Sequence, residues 1–183
     1  MKKSPGFFLI LSFFSFSCSL EYLKSENSED SIPEFTFKNA NYTKYESNKK
    51  NIFLSAEILE QYKSDNAVFV KNAEFQTFSS DGTQETGGEC QLIAANTNDE
   101  IYTLYGDIKL NLPKQKMSID AQALNFNKKT EQITSSKDSE VKLTKDNITI
   151  SGLGFSASGV SKSFSFSNEV SGIINTNEAE NEN

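Results

Sequence analysis

Three residue types are missing altogether: the 183-residue chain has no histidine, no arginine and no tryptophan. Without histidine, the commonest general base and the commonest metal ligand are both gone. Every basic side chain is a lysine. Cysteine is nearly absent, with only Cys18 and Cys90. A long hydrophobic run is absent too. Phe7 to Ser17 is apolar, but about eleven residues fall well short of the roughly 20 that a membrane-spanning helix needs. Hydrophobic residues make up 36% of the chain. Even with glycine added, that is below the about 45–50% of an ordinary domain, so a thin sheet or two sheets across a narrow apolar space is expected rather than a thick core.

Catalytic patterns are missing as well. The chain has no G-x-S-x-G elbow, no P-loop and no H-E-x-x-H. Ser47-Asn48-Lys49-Lys50 matches S-x-x-K, but it sits in a polar, loop-like stretch with no supporting motif. Asp99 and Glu100 are neighbours, and on a strand neighbours point to opposite faces. Asp138 and Glu140 can share a face, and a solvated rim accounts for them. Unclustered carboxylates make at best a weak calcium site, so no metal and no cofactor is expected, and the chain reads as a non-enzyme.

What is present begins with a targeting segment. Lys2 and Lys3 precede the short apolar run, which ends at Ser15-Phe16-Ser17-Cys18. That pattern fits a signal peptide, 1–17, better than a permanent anchor. Small residues before a cysteine suit lipoprotein processing, with lipid on Cys18. Ser15 stands where leucine is usual, so ordinary cleavage near Ser17 or an uncleaved short anchor stays open. If Cys18 carries lipid, Cys90 is unpaired, no internal disulfide forms, and Cys90 reads as a small buried apolar residue. Residues 18–32 are polar and acidic and read as a lipidated tether; 175–183 read as a disordered tail. The formal charge is −7, and loss of Lys2 and Lys3 makes it more acidic still. Such a domain lacks the basic footprint that nucleic acid demands, and it is no polybasic membrane binder.

Between 33 and 174 the pattern has period two. Phe35/Phe37, Ile52/Leu54/Ala56/Ile58, Ile108/Leu110/Leu112, Leu124/Phe126, Val141/Leu143, Ile148/Ile150 and Phe164/Phe166 alternate with polar residues. Alternation at 180° per residue marks strands with one apolar face. Ser80-Asp81-Gly82, Gly87-Gly88, Pro113-Lys114-Gln115, Asn127-Lys128-Lys129 and Lys145-Asp146-Asn147 supply reversals, giving antiparallel hairpins. The one helical candidate is Ser55 to Tyr62, where Ile58, Leu59 and Tyr62 have helical spacing.

Several strings carry a resemblance. Ile119-Asp120-Ala121-Gln122-Ala123-Leu124-Asn125-Phe126-Asn127 resembles a step of OstA-like transport domains. Ile148-Thr149-Ile150-Ser151-Gly152-Leu153-Gly154-Phe155 resembles the strand that follows it, and Phe164 to Ile174 resembles the closing strand. Leu54-Ser55-Ala56-Glu57 and Phe78-Ser79-Ser80-Asp81-Gly82 also fit. In order and spacing, residues 33–174 resemble the LptC family of the lipopolysaccharide export bridge. The resemblance implies an all-β, elongated, twisted antiparallel β-jellyroll, V-shaped with two sheets. It implies a component at the periplasmic face of the inner membrane that receives lipopolysaccharide or another glycolipid from ABC transporter subunits. It also implies a periplasmic OstA-like bridge protein as the next carrier. Family members usually keep a membrane-spanning helix, which a lipid on Cys18 would replace here.

The groove candidates are the inward positions Leu54, Phe75, Ile108, Leu110, Ile119, Leu124, Phe126, Val141, Leu143, Ile148, Ile150, Phe164 and Phe166. Alternation alone does not separate lipid contact from closed core. Gly152 and Gly154 are expected to permit a bulge or a close backbone approach. The rival reading is a surface lipoprotein, an adhesin-like binding module with a closed β core.

Overall fold

The computed structural model describes residues 32–63 and 66–176. The signal segment, Cys18, the tether up to 31 and residues 177–183 of the tail lie outside the described residues. Six long strands come first: β1 (Phe35–Glu46), β2 (Lys49–Gln61), β3 (Ala67–Phe78), β4 (Gln84–Asn96), β5 (Ile101–Leu112) and β6 (Met117–Asn127). Six shorter ones follow: β7 (Gln132–Thr134), β8 (Glu140–Lys145), β9 (Ile148–Leu153), β10 (Ser156–Ser158), β11 (Ser163–Ser165) and β12 (Asn168–Ile174). The all-β antiparallel expectation holds at every pairing.

Turn chemistry sets the hairpins. Ser47 and Asn48 both take positive φ, 50° and 63°, which is what a two-residue hairpin turn requires. At the next reversal, the Asp81 carboxylate accepts from the Ser79 hydroxyl at 2.5 Å and from the Thr83 N–H at 2.8 Å. Those bonds hold Asp81 well below the usual carboxylate range. Pro113 opens a single 3₁₀ turn that closes with Lys116 at φ 49°.

β1 to β6 lie side by side in chain order. β6 then divides the sheet. One edge pairs with β5; the other pairs with β8 along Met117–Ala121 and with β7 along Asn125–Asn127. β8 leads to β9 and β12, and β7 leads to β10 and β11. The expected pair of sheets therefore takes the form of two arms of one hydrogen-bonded network.

The two arms belong to two halves of every long strand, because all six long strands break their alternation at one level. Inward residues are three apart at Phe37/Ala40, Ala56/Leu59, Val70/Ala73, Cys90/Ile93 and Ala121/Leu124, so two successive residues face outward between them. β5 does the same with an extra residue between Leu104 and Ile108. The backbone at this level is left-handed at Asn39, Asn72, Gly106 and Asp107, with φ of 51°, 49°, 73° and 45°. Asn, Asp and Gly tolerate that region. A polar seam runs along the outside: Asn72 donates to Glu57 at 2.5 Å, Gln91 to Asp107 at 2.8 Å and Gln122 to Asp107 at 3.3 Å. The result is a crease across the sheet. Buried residues from both sides of it (Ala73, Cys90 and Ile108; Val70, Leu104 and Leu124) form one cluster. The inner faces of the two halves therefore share one continuous core.

The chain crosses between the arms at Gly154-Phe155 and again at Phe166-Ser167. Phe155 is fully buried there, 5.3 Å from the Phe166 ring and 6.5 Å from the Phe164 ring. Its backbone N–H donates to Ser135 Oγ at 2.9 Å, and its carbonyl accepts from the Ser135 N–H at 2.9 Å.

Three expectations change. Ser55–Tyr62 is strand, not helix: most of it lies in β2, and the three-residue step from Ala56 to Leu59 at the crease mimics helical spacing. The same step puts Leu59, not Ile58, against the core. Gly87-Gly88 is no reversal but the middle of β4. Gly88 sits in register between Phe75 and Leu110, where a Cβ would collide with the Phe75 ring. At the C-terminal end, Asn175 is tied to the β8–β9 turn, its N–H donating to Asn147 O at 2.9 Å.

Candidate functional site

Cross-strand register arranges the inner face in transverse rows. The row on one side of the crease is Ala40, Ala56, Ala73, Cys90, Ile108, Ala121, Val141 and Gly152. The next row outward crosses nine strands: Tyr42, Leu54, Phe75, Gly88, Leu110, Ile119, Leu143, Ile150 and Gly172. Across the crease, Phe37, Leu59, Val70, Ile93, Leu104 and Leu124 form a row. Beyond it lies Phe35, Gln61, Val68, Ala95, Tyr102, Phe126, Ile133, Ala157 and Phe164.

Burial is greatest near the crease and falls toward the strand ends. Of the candidates, Ile108, Leu110, Ile119, Leu124, Val141 and Leu143 are buried, forming the floor of a trough. Leu54, Phe75, Phe126, Ile150 and Phe166 are half-buried. Ile148 and Phe164 are exposed, at 38% and 42%. Many apolar inward residues were not among the candidates: Val68, Val70, Ile93, Tyr102, Leu104 and Ile133 in the middle strands, half-buried Leu59, and Phe35, Phe37, Tyr42 and Ile174, all exposed. The Phe35/Phe37 alternation was the available signal for two of them. The four exposed ones line two of the network's three free edges, where β1 pairs only with β2 and β12 only with β9; the third is β11, which pairs only with β10.

The glycines permit close approach. A Cβ on Gly152 would meet Phe166 Cδ1 at 2.8 Å, so the Phe166 side chain lies directly against β9. Gly154, at φ 65°, sits against Ser167, whose hydroxyl donates to its carbonyl at 3.2 Å. Cys90 is buried in the floor, and burial pushes its thiol up to about 11.

The catalytic candidates are not brought together. The Lys50 ammonium lies 4.6 Å from the centres of both the Phe53 and Phe78 rings. Asp99 accepts from Asn96 at 2.9 Å, while Glu100 accepts from Lys128 at 2.7 Å, which holds its carboxyl below the usual range. Among the described residues no group of acids and cysteine is placed to hold a metal, and no helix is long and apolar enough to cross a membrane.

A family model described as lipopolysaccharide-assembly, LptC-related, matches residues 7–175, almost the full chain. The chain belongs to the LptC-related family. Membership makes it a component of lipopolysaccharide transport in the periplasmic envelope, within a family of non-catalytic transport proteins. Among solved structures, this LptC-related chain is similar to LptH of Pseudomonas aeruginosa, the LptA-homologous periplasmic component of the lipopolysaccharide transport device. The identity is 8%, over 81% of this chain and 99% of that one, with a TM-score of 0.33. No curated protein matches the chain.

Proposed function

We propose that this chain receives lipopolysaccharide or a related glycolipid from an inner-membrane ABC transporter and passes it along its inner face to the next β-jellyroll protein. The supporting observation is the nine-strand apolar row, which runs from the free edge of β1 to the free edge of β12 without a charged residue. Acyl chains gain about 0.8 kcal/mol per CH₂ shielded from water. A free strand edge offers unpaired N–H and C=O groups to a neighbouring sheet, so β1 and β12 are where partner domains would extend the row.

The test is site-specific photo-crosslinking in living cells at Phe126 and Ile150, one half-buried residue on each side of the crease. A lipid-sized adduct that depends on ATP-driven export is the expected result at both. Absence of an adduct at both, in a folded protein, would make the trough closed core and favour the surface binding module.

We also propose that Cys18 carries lipid and holds the domain at the periplasmic face of the inner membrane. A Cys18→Ser variant is then expected to leave the membrane fraction, and the mature parent to carry a diacylglycerol-type mass increment on its first residue. A parent protein starting at another residue would refute this.

A further inference from the structure

One border of the trough differs in charge from everything else. Four reversals line it: Glu46–Lys49, Phe78–Gln84, Leu112–Met117 and Lys145–Ile148. They form one continuous margin. Lys49 donates to the Ser80 carbonyl, Lys114 Nζ to Ser79 Oγ at 3.1 Å, and the Asp146 N–H to the Lys116 carbonyl at 3.3 Å. A recess lies between segments 46–51 and 79–80. Residues 44–50, 78–86, 112–117 and 145–148 hold six lysines against four carboxylates; the remaining described residues hold nine against thirteen.

Most of the carboxylates on this border are already engaged. Glu46 is taken by Lys44 at 2.7 Å and Glu85 by Lys114 at 3.5 Å, and Asp81 is occupied by its own turn. Among the described residues, Lys49, Lys50, Lys116 and Lys145 have no carboxylate partner within ion-pair distance. Two of the six lysines lie in the inner-face row itself: Lys44 opposite Ile52, and Lys145 opposite Met117. The opposite border is different. The aromatic residues of its inner row are Phe35, Tyr102, Phe126 and Phe164, and of its lysines Lys128 is paired with Glu100 while Lys63, Lys129 and Lys162 have no carboxylate within ion-pair distance among the described residues.

We propose that the lysine border binds the anionic headgroup, a phosphate or carboxylate, of an amphiphile whose chains lie on the inner face. This rests on the lipid-carrier reading. An amphiphile in a trough must put its headgroup at one lip or the other. The aromatic lip balances its lysines, Lys63, Lys128, Lys129 and Lys162, with as many carboxylates, Glu34, Asp99, Glu100 and Glu131, so among the described residues it offers no net positive charge. The lysine lip offers compact cations on flexible stems, which serve phosphate as point charges. The cargo would thereby be oriented across the crease, headgroup on the lysine side and chain ends toward the aromatic side.

The experiment is calorimetric titration of the full chain with dodecyl phosphate and with uncharged dodecyl maltoside, both below micelle-forming concentrations. Two variants are compared with the parent: Lys49→Gln/Lys50→Gln/Lys116→Gln/Lys145→Gln, and Lys63→Gln/Lys128→Gln/Lys129→Gln/Lys162→Gln on the opposite border. The first is expected to weaken dodecyl phosphate roughly tenfold or more and to leave dodecyl maltoside within about twofold. The second is expected to leave both within about threefold. Equal weakening of dodecyl phosphate by both variants, or none by the first, overturns the proposal. Displacement of dodecyl phosphate by inorganic phosphate at similar concentration would reveal a free-anion site and overturn it too. If dodecyl maltoside binds the parent while dodecyl phosphate shows no dependence on these lysines, the border assignment alone fails. If neither amphiphile binds, the carrier reading fails and takes the headgroup site with it.

Discussion

Ile119→Ala is expected to cost about 2–5 kcal/mol of stability, while Ile148→Ala costs less than about 1 kcal/mol. Both are isoleucines on the inner face of strands in the same arm-bearing half. Ile119 is 1% exposed, in register between Leu110 on β5 and Leu143 on β8, both buried. Truncation there leaves a cavity that three packed strands cannot collapse. β6 is also the strand on which both arms hang, so loosening it loosens both. Ile148 stands at the strand end, 38% exposed, and its truncation removes little burial. Urea unfolding of the two variants, compared at unchanged m-value, reads the difference. Equal losses would mean that the floor near Ile119 is no better packed than the rim. The contrast separates folding from cargo: a crosslinker at Ile119 should yield no lipid adduct, because that side chain meets protein on every side.

The hairpins were legible in the sequence because their turns are made by local chemistry. Asp81, Pro113 and Asp146 each favour reversal through their own backbone, whatever lies elsewhere. The apolar faces were legible within each half-strand, where alternation is undisturbed. The crease was not. Ala56/Leu59, Val70/Ala73, Cys90/Ile93 and Ala121/Leu124 are each three apart, a spacing that in isolation belongs to a helix. Only the pairing of six strands at one level shows that these steps are a single bend. Nor could alternation tell floor from rim. Val141 and Ile148 are both inward-facing, yet one is 0% and the other 38% exposed. That difference comes from distance to the crease, a property of the assembled sheet. Cys18 and residues 18–31 of the tether lie outside the described residues, and the lipid-anchor reading stands on the sequence alone.

At the crease, Asn72→Val is expected to lose about 2 kcal/mol or more, while Asn72→Gly stays within about 1 kcal/mol of the parent. Asn72 holds φ 49° in the middle of β3, where its amide also donates to Glu57. A left-handed backbone costs an ordinary L-residue roughly 1–2 kcal/mol, and a β-branched side chain is among the worst suited to it. Glycine loses the Glu57 hydrogen bond but keeps the conformation freely, and at an exposed position that bond is worth little. Gly106→Val should behave like Asn72→Val, because Gly106 sits at φ 73° under the Gln91 side chain. Chemical denaturation of the three variants tests the ordering. A valine at 72 as stable as a glycine would mean that β3 runs straight through this level. The two halves would then have no common bend, and Val70 and Ala73 could not both face the core. If the ordering holds, the bend is set by the backbone of individual residues rather than by whatever fills the trough. On the proposed carrier reading, the bend would then persist when lipid enters or leaves, as repeated loading and unloading requires.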